Sequence, residues 1–85
     1  MYSWPSWWDW ELELSPHLLK RMAERGFNEL DLRRMLSVAT SLRWDVVPGR
    51  WIARTRLRGR FWEVIVEPDD DAHRLVVITA YSVSP

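Results

Sequence analysis

Leu14-Ser15-Pro16-His17-Leu18-Leu19-Lys20-Arg21-Met22-Ala23-Glu24-Arg25-Gly26-Phe27-Asn28 carries the clearest local signals in the chain. Ser15 has the side chain of an N-cap, and Pro16 falls at the first helical position, where a missing N–H costs nothing. Leu14 and Leu19 are spaced as a hydrophobic staple, and Gly26 stands where a left-handed residue ends a helix. Leu18, Leu19, Met22 and Ala23 form an apolar stripe, which places His17, Arg21 and Arg25, four residues apart, on another face. The same grammar restarts immediately. Phe27, Asn28, Asp31 and Leu32 fit staple, cap, acceptor and second staple of another helix, running to about Val38 with Leu32, Met35, Leu36 and Ala39 buried.

Outward from this helix pair the pattern turns to period two. Trp8, Trp10, Leu12 and Leu14 alternate with Asp9, Glu11 and Glu13, the signature of a strand with one covered face. Ahead of it lies a Trp-rich leader, residues 1–7. Beyond the helices Leu42, Trp44 and Val46 alternate until Pro48-Gly49 breaks the chain. Arg50 to Leu57 and Arg60 to Glu67 then read as the arms of a hairpin joined by Arg58-Gly59. A two-residue turn fixes the register: Leu57 faces Arg60, Thr55 faces Trp62, Arg54 faces Glu63 and Arg50 faces Glu67. Trp51, Ala53, Thr55, Trp62, Val64 and Val66 thereby share one face, two Arg–Glu pairs share the other, and Arg56, Arg58 and Arg60 at the tip have no carboxylate opposite. After the Pro68-Asp69-Asp70-Asp71 turn, the unbroken run Leu75-Val76-Val77-Ile78 suits a central strand. The expectation is one α+β domain over residues 1–85, with a core at 8–82, order β-α-α-β-β-β-β and two helices packed on a twisted antiparallel sheet.

Composition removes many functions. There is no cysteine, so disulfides and thiolate metal sites are excluded, and two histidines, His17 and His73, are poor material for a metal cage. No metal or other cofactor is expected. No run is long and apolar enough for a membrane span, and no signal-peptide pattern opens the sequence, which points to a cytoplasmic protein without a membrane partner. The formal charge of zero hides a segregation. His17 to Arg60 holds eleven cations against four acids, a net +7, whereas the flanks hold one cation against eight acids, a net −7. A basic centre suggests an anionic partner.

No nucleophile elbow or glycine-rich phosphate loop is present. His17, Tyr81 and the arginines remain, a set suited to cleaving RNA without a metal. Histidine and tyrosine exchange protons and arginine clamps phosphate. His17 and Tyr81 are therefore the candidates for proton transfer, with base and acid unassigned, and Arg21, Arg25, Arg56, Arg58 and Arg60 are the candidates for RNA phosphate contact. With Glu67 opposite Arg74, Tyr81 would face Arg60.

The run Ser15-Pro16-His17, Arg21-Met22 and Glu24-Arg25-Gly26-Phe27, with Gly59-Arg60, Val64-Ile65-Val66 and Ile78-Thr79-Ala80-Tyr81 later, resembles a widespread uncharacterised bacterial domain family. That family is similar to the RelE/ParE and BrnT toxins. The resemblance covers about residues 12 to 82 and implies a RelE/ParE-like fold and a toxin of a toxin–antitoxin system. Toxins like RelE are mRNA endoribonucleases, acting on the ribosome or free, and a cognate antitoxin protein neutralises them. Relatives of ParE instead inhibit DNA gyrase without comparable chemistry. A third reading is an interaction module that uses its tryptophans. The leader Tyr2 to Trp10 or a sheet edge would dock the partner, or the acidic flank would meet the basic centre of a second copy in a homodimer.

Overall fold

Capping governs both helices as the sequence requires. In the computed structural model, which describes residues 4–84, helix α1 spans Pro16–Arg25 and α2 spans Glu29–Ser37. The Ser15 side chain accepts from the Leu18 N–H at 3.0 Å, and Gly26, at φ 71°, ends α1 in the left-handed region open to glycine. Asn28 and Asp31 form a reciprocal capping box at the start of α2.

The strands are β1 Glu11–Leu14, β2 Ser41–Trp44, β3 Trp51–Leu57, β4 Arg60–Asp69 and β5 Arg74–Val83, in the spatial order β1-β5-β4-β3-β2. The hairpin pairs in the expected register, from Leu57 opposite Arg60 to Trp51 opposite Val66. Arg58 and Gly59 both take positive φ, 51° and 77°, as a tight two-residue turn demands. Ala53, Thr55, Trp62, Val64 and Val66 are buried beneath the helices with Leu18, Phe27, Leu32, Met35, Leu75 and Val77.

Four expectations change. The sheet is mixed, because β1 runs parallel to β5, with Leu12 beside Leu75 and Leu14 beside Val77. The cause lies in α1. The Ser15 N–H bonds the Val77 carbonyl at 3.2 Å, the Ser15 hydroxyl donates to the Ile78 carbonyl at 2.8 Å, and Arg25 at the far end reaches Ala80. Strand and helix thus follow β5 in one direction. Second, Ser6–Asp9 is a 3₁₀ turn rather than the start of the strand. A strand would send Trp7 and Trp8 to opposite faces, whereas the turn packs both, with Trp10, against the core. The first three leader residues lie outside the described residues. Third, α1 is rotated by about one position: Leu18 is buried and Met22 half-buried, but Leu19 is 53% exposed and Ala23 is exposed. Arg25 consequently faces the sheet. Fourth, β2 stops at Trp44, and Val46 is 96% exposed.

A β-bulge completes the geometry. Val66 faces Val77 while Ile65 faces Thr79, which leaves Ile78 as the extra residue. Both ends of α1 attach around that bulge, at Ile78 and at Thr79-Ala80.

Candidate functional site

Helices cover one face of the sheet, and strand alternation puts Arg43 of β2, Arg54 and Arg56 of β3, Phe61 and Glu63 of β4 and Tyr81 of β5 on the other. Glu63 is only 9% exposed. A carboxylate this enclosed needs partners. One oxygen accepts from the Tyr81 hydroxyl at 3.2 Å and the other from Arg43 at 2.8 Å. Burial, the Glu63 charge and the hydrogen bond to Glu63 all push the Tyr81 phenol above its usual 10.0, with Arg43 opposing. At neutral pH this phenol is therefore a proton donor.

Register alone misassigned the carboxylate. Arg54 does lie opposite Glu63, but Arg43, one strand further out, takes the ion pair. Arg54 instead stands over the Phe61 ring at 5.1 Å, with Arg56 over the same ring at 4.7 Å, both within cation–π range. The second expected pair, Arg50 with Glu67, forms at 3.1 Å. Tyr81 faces Glu63 and not Arg60, because the bulge and the pairing of Asp69 with Arg74 shift the strand.

On the helix side, the end of α1 and the hairpin tip enclose a cleft of about 350 Å³ lined by Arg25, Arg60, Trp62, Tyr81 and Ser82. An adjoining hollow of about 200 Å³ adds Gly26, Leu57 and Arg58. Arg25 donates to the Thr79 hydroxyl at 3.2 Å and the Ala80 carbonyl at 2.8 Å, so it is held in place by neutral groups that leave its charge uncompensated. Arg58 is not unpaired as its place at the tip suggested. It donates to the Gly26 carbonyl at 3.2 Å and the Asp31 carboxylate at 3.0 Å, clamping the hairpin onto the helix junction. The Arg60 side chain has no hydrogen bond or ion pair among the described residues. The indole N–H of Trp62 is buried without a partner among them.

Of the seven residues singled out from the sequence, Tyr81, Arg25, Arg58 and Arg60 meet around this end of the sheet, and Arg56 joins Tyr81 on the open face. His17 and Arg21 stand apart from them. His17 is exposed in the first turn of α1, two turns from Arg25, and lines neither cleft; Arg21 is ion-paired with Glu24. Glu63, Arg43 and Arg54 were missed. The available signal was Glu63 itself, a single acid inside the apolar run Phe61 to Val66.

Among the described residues no group of three or more His, Asp or Glu is placed to hold a metal ion, and no helix is long and apolar enough to cross a membrane. No curated protein and no solved structure matches the chain. Residues 14–82 match the model of a domain of unknown function, DUF4258. The chain belongs to that family.

Proposed function

We propose that this member of the DUF4258 family is a RelE/ParE-like toxin of a bacterial toxin–antitoxin system, acting in the cytoplasm as a metal-independent mRNA endoribonuclease. The observation that carries the proposal is the placement of Arg25 and Arg60 in one cleft with Tyr81, and of Arg54 and Arg56 over Phe61 on the open face that Tyr81 shares. None of the four has an ion-pair partner among the described residues. Uncompensated guanidinium groups on two sides of a proton-donating phenol suit a phosphodiester chain, whose charge they neutralise as it builds up on the phosphate. Phe61 beneath two arginines offers a base a surface to stack on.

In this reading Tyr81 protonates the leaving 5′-oxygen. Glu63, released from Tyr81 by the substrate, accepts the 2′-hydroxyl proton, and the 2′-oxygen attacks phosphorus to leave a 2′,3′-cyclic phosphate. His17 keeps a claim to the base role only if the RNA brings it into reach. A cognate antitoxin would silence the protein by laying acidic side chains over the same arginines.

The test is incubation of purified protein with RNA in excess chelator. Cyclic-phosphate ends on RNA, and no cleavage of the DNA of the same sequence, are expected. Intact RNA, with and without ribosomes, refutes the nuclease. A second reading, a non-catalytic toxin that inhibits an enzyme such as gyrase, draws support from the separation of His17 from Tyr81 and from the occupation of both Glu63 oxygens. Induction in bacteria separates the two: arrest with mRNA loss supports the nuclease, and arrest with a DNA-damage response supports the inhibitor. Unimpaired growth removes both.

A further inference from the structure

Strand β2 is an edge of the sheet, and its outer side carries an unusual set of groups. Asp45 donates its N–H inward to the Arg50 carbonyl at 2.9 Å, so by alternation Leu42 and Trp44 turn their N–H and C=O outward, where no strand of the described residues receives them. Native edges are normally protected by charge, proline or a bulge. Here the outer edge presents Trp44, 68% exposed, and Val46, 96% exposed.

We infer that this edge, continued by Asp45 and Val46 past the end of β2 at Trp44, pairs with the same segment of a second copy of the chain, antiparallel about a two-fold axis through Trp44. That register is self-complementary. Trp44 meets Trp44 of the second copy, Leu42 meets Val46, and Arg43 meets Asp45, each contact occurring twice by symmetry. Any other centre within Ser41 to Val46 breaks the charge match. The Asp45 carboxylate holds the Val46 N–H at 2.6 Å in the isolated chain. Pairing hands that N–H to the Leu42 carbonyl of the second copy and frees Asp45 for Arg43. The row of rings continues across the axis, because Trp44 already stacks on Trp51 at 3.8 Å and Trp51 touches Trp7 at 5.5 Å. Arg43 then bridges Glu63 within its own chain and Asp45 of the other, and the two open faces join as one ten-stranded surface.

The inference is independent of the ribonuclease reading and is tested on the full chain by sedimentation equilibrium over a concentration series. A monomer–dimer equilibrium is expected, with the Trp44 amide exchanging more slowly as the concentration rises. Val46→Lys and Asp45→Lys each place like charges or a buried cation at two symmetric points. Each should raise the dimer dissociation constant about tenfold or more. Val46 is fully exposed, so Val46→Lys tests the interface without touching the core; circular dichroism confirms that each variant is folded. A chain that stays monomeric throughout, or a dimer whose constant neither substitution moves, overturns the proposal.

Discussion

Ser15→Ala removes one oxygen atom and two bonds. In the native chain this hydroxyl accepts from the Leu18 N–H at 3.0 Å and donates to the Ile78 carbonyl at 2.8 Å. Loss of a serine N-cap costs about 1 kcal/mol. The Ile78 carbonyl, on the extra residue of the bulge, loses the donor that Ser15 supplies, which adds about 1 kcal/mol. The two effects act on different groups and combine to about 2 kcal/mol, or a fall in melting temperature of about 8–16 °C for a domain of this size. Thermal unfolding followed by circular dichroism reads this directly. Ser15→Thr keeps both functions and should stay within about 0.5 kcal/mol of the parent. Ser15→Asp keeps the cap alone and should lie near or below the midpoint, since its carboxylate meets the Ile78 carbonyl without a proton to give. If Ser15→Ala costs less than about 0.5 kcal/mol, the docking of α1 on the bulge is not what fixes its position, and the account of the parallel strand β1 fails with it.

Tyr81→Phe should lower RNA cleavage by about 10²-fold, the usual effect of losing a general acid, and single-turnover assays measure it. Because the folded Tyr81 pKa is raised, its contribution to stability is complete below about pH 10 and is lost as pH climbs through the raised value; urea titrations at about pH 8 and pH 11 should show a decline that Tyr81→Phe reduces. His17→Ala should leave stability within about 0.5 kcal/mol, since the side chain is exposed, so any fall in its cleavage rate would mark His17 as chemical rather than structural. Arg54→Ala and Arg56→Ala should each reduce the slope of log affinity for single-stranded RNA against log salt by about 0.7, measured by fluorescence titration; an unchanged slope would place the RNA elsewhere. Leu18→Ala, fully buried in the first turn of α1, should cost about 2–5 kcal/mol by opening a cavity over β5.

The parts of this fold that are legible in the sequence are those with local causes. Ser15, Pro16, Gly26, Asn28 and Asp31 fix both helices through side chains no more than a few residues from the groups they satisfy. Arg58-Gly59 fixes seven residues of hairpin register because a two-residue turn leaves no slack. Nothing local says that Leu12 lies beside Leu75: alternation shows that β1 has a covered face but not which strand it joins. The bulge at Ile78 is hidden for a related reason, since an extra residue in a run of consecutive apolar side chains leaves the pattern unaltered. Residue types alone identified Tyr81 and the arginines. Which arginine holds Glu63 depended on the side-chain reach of Arg43 across two strands, and the clamp from Arg58 to Asp31 depended on where the helix junction comes to rest.

The pairing of β1 with β5 also bears on the order in which the sheet assembles. The β3–β4 hairpin closes through a two-residue turn, and β5 adds to it across another short turn, but Leu12 reaches Leu75 only after a loop of more than sixty residues has closed. Contacts so distant are the slow ones to form. Strand β1 is short and lies at an edge, so the same segment is the natural first piece to detach from the folded sheet. When it leaves, β5 becomes an open edge and the tryptophans of the 3₁₀ turn leave the core with it. At high concentration, β1 from another molecule can occupy the vacated place, making this the point in the fold most open to strand exchange between chains.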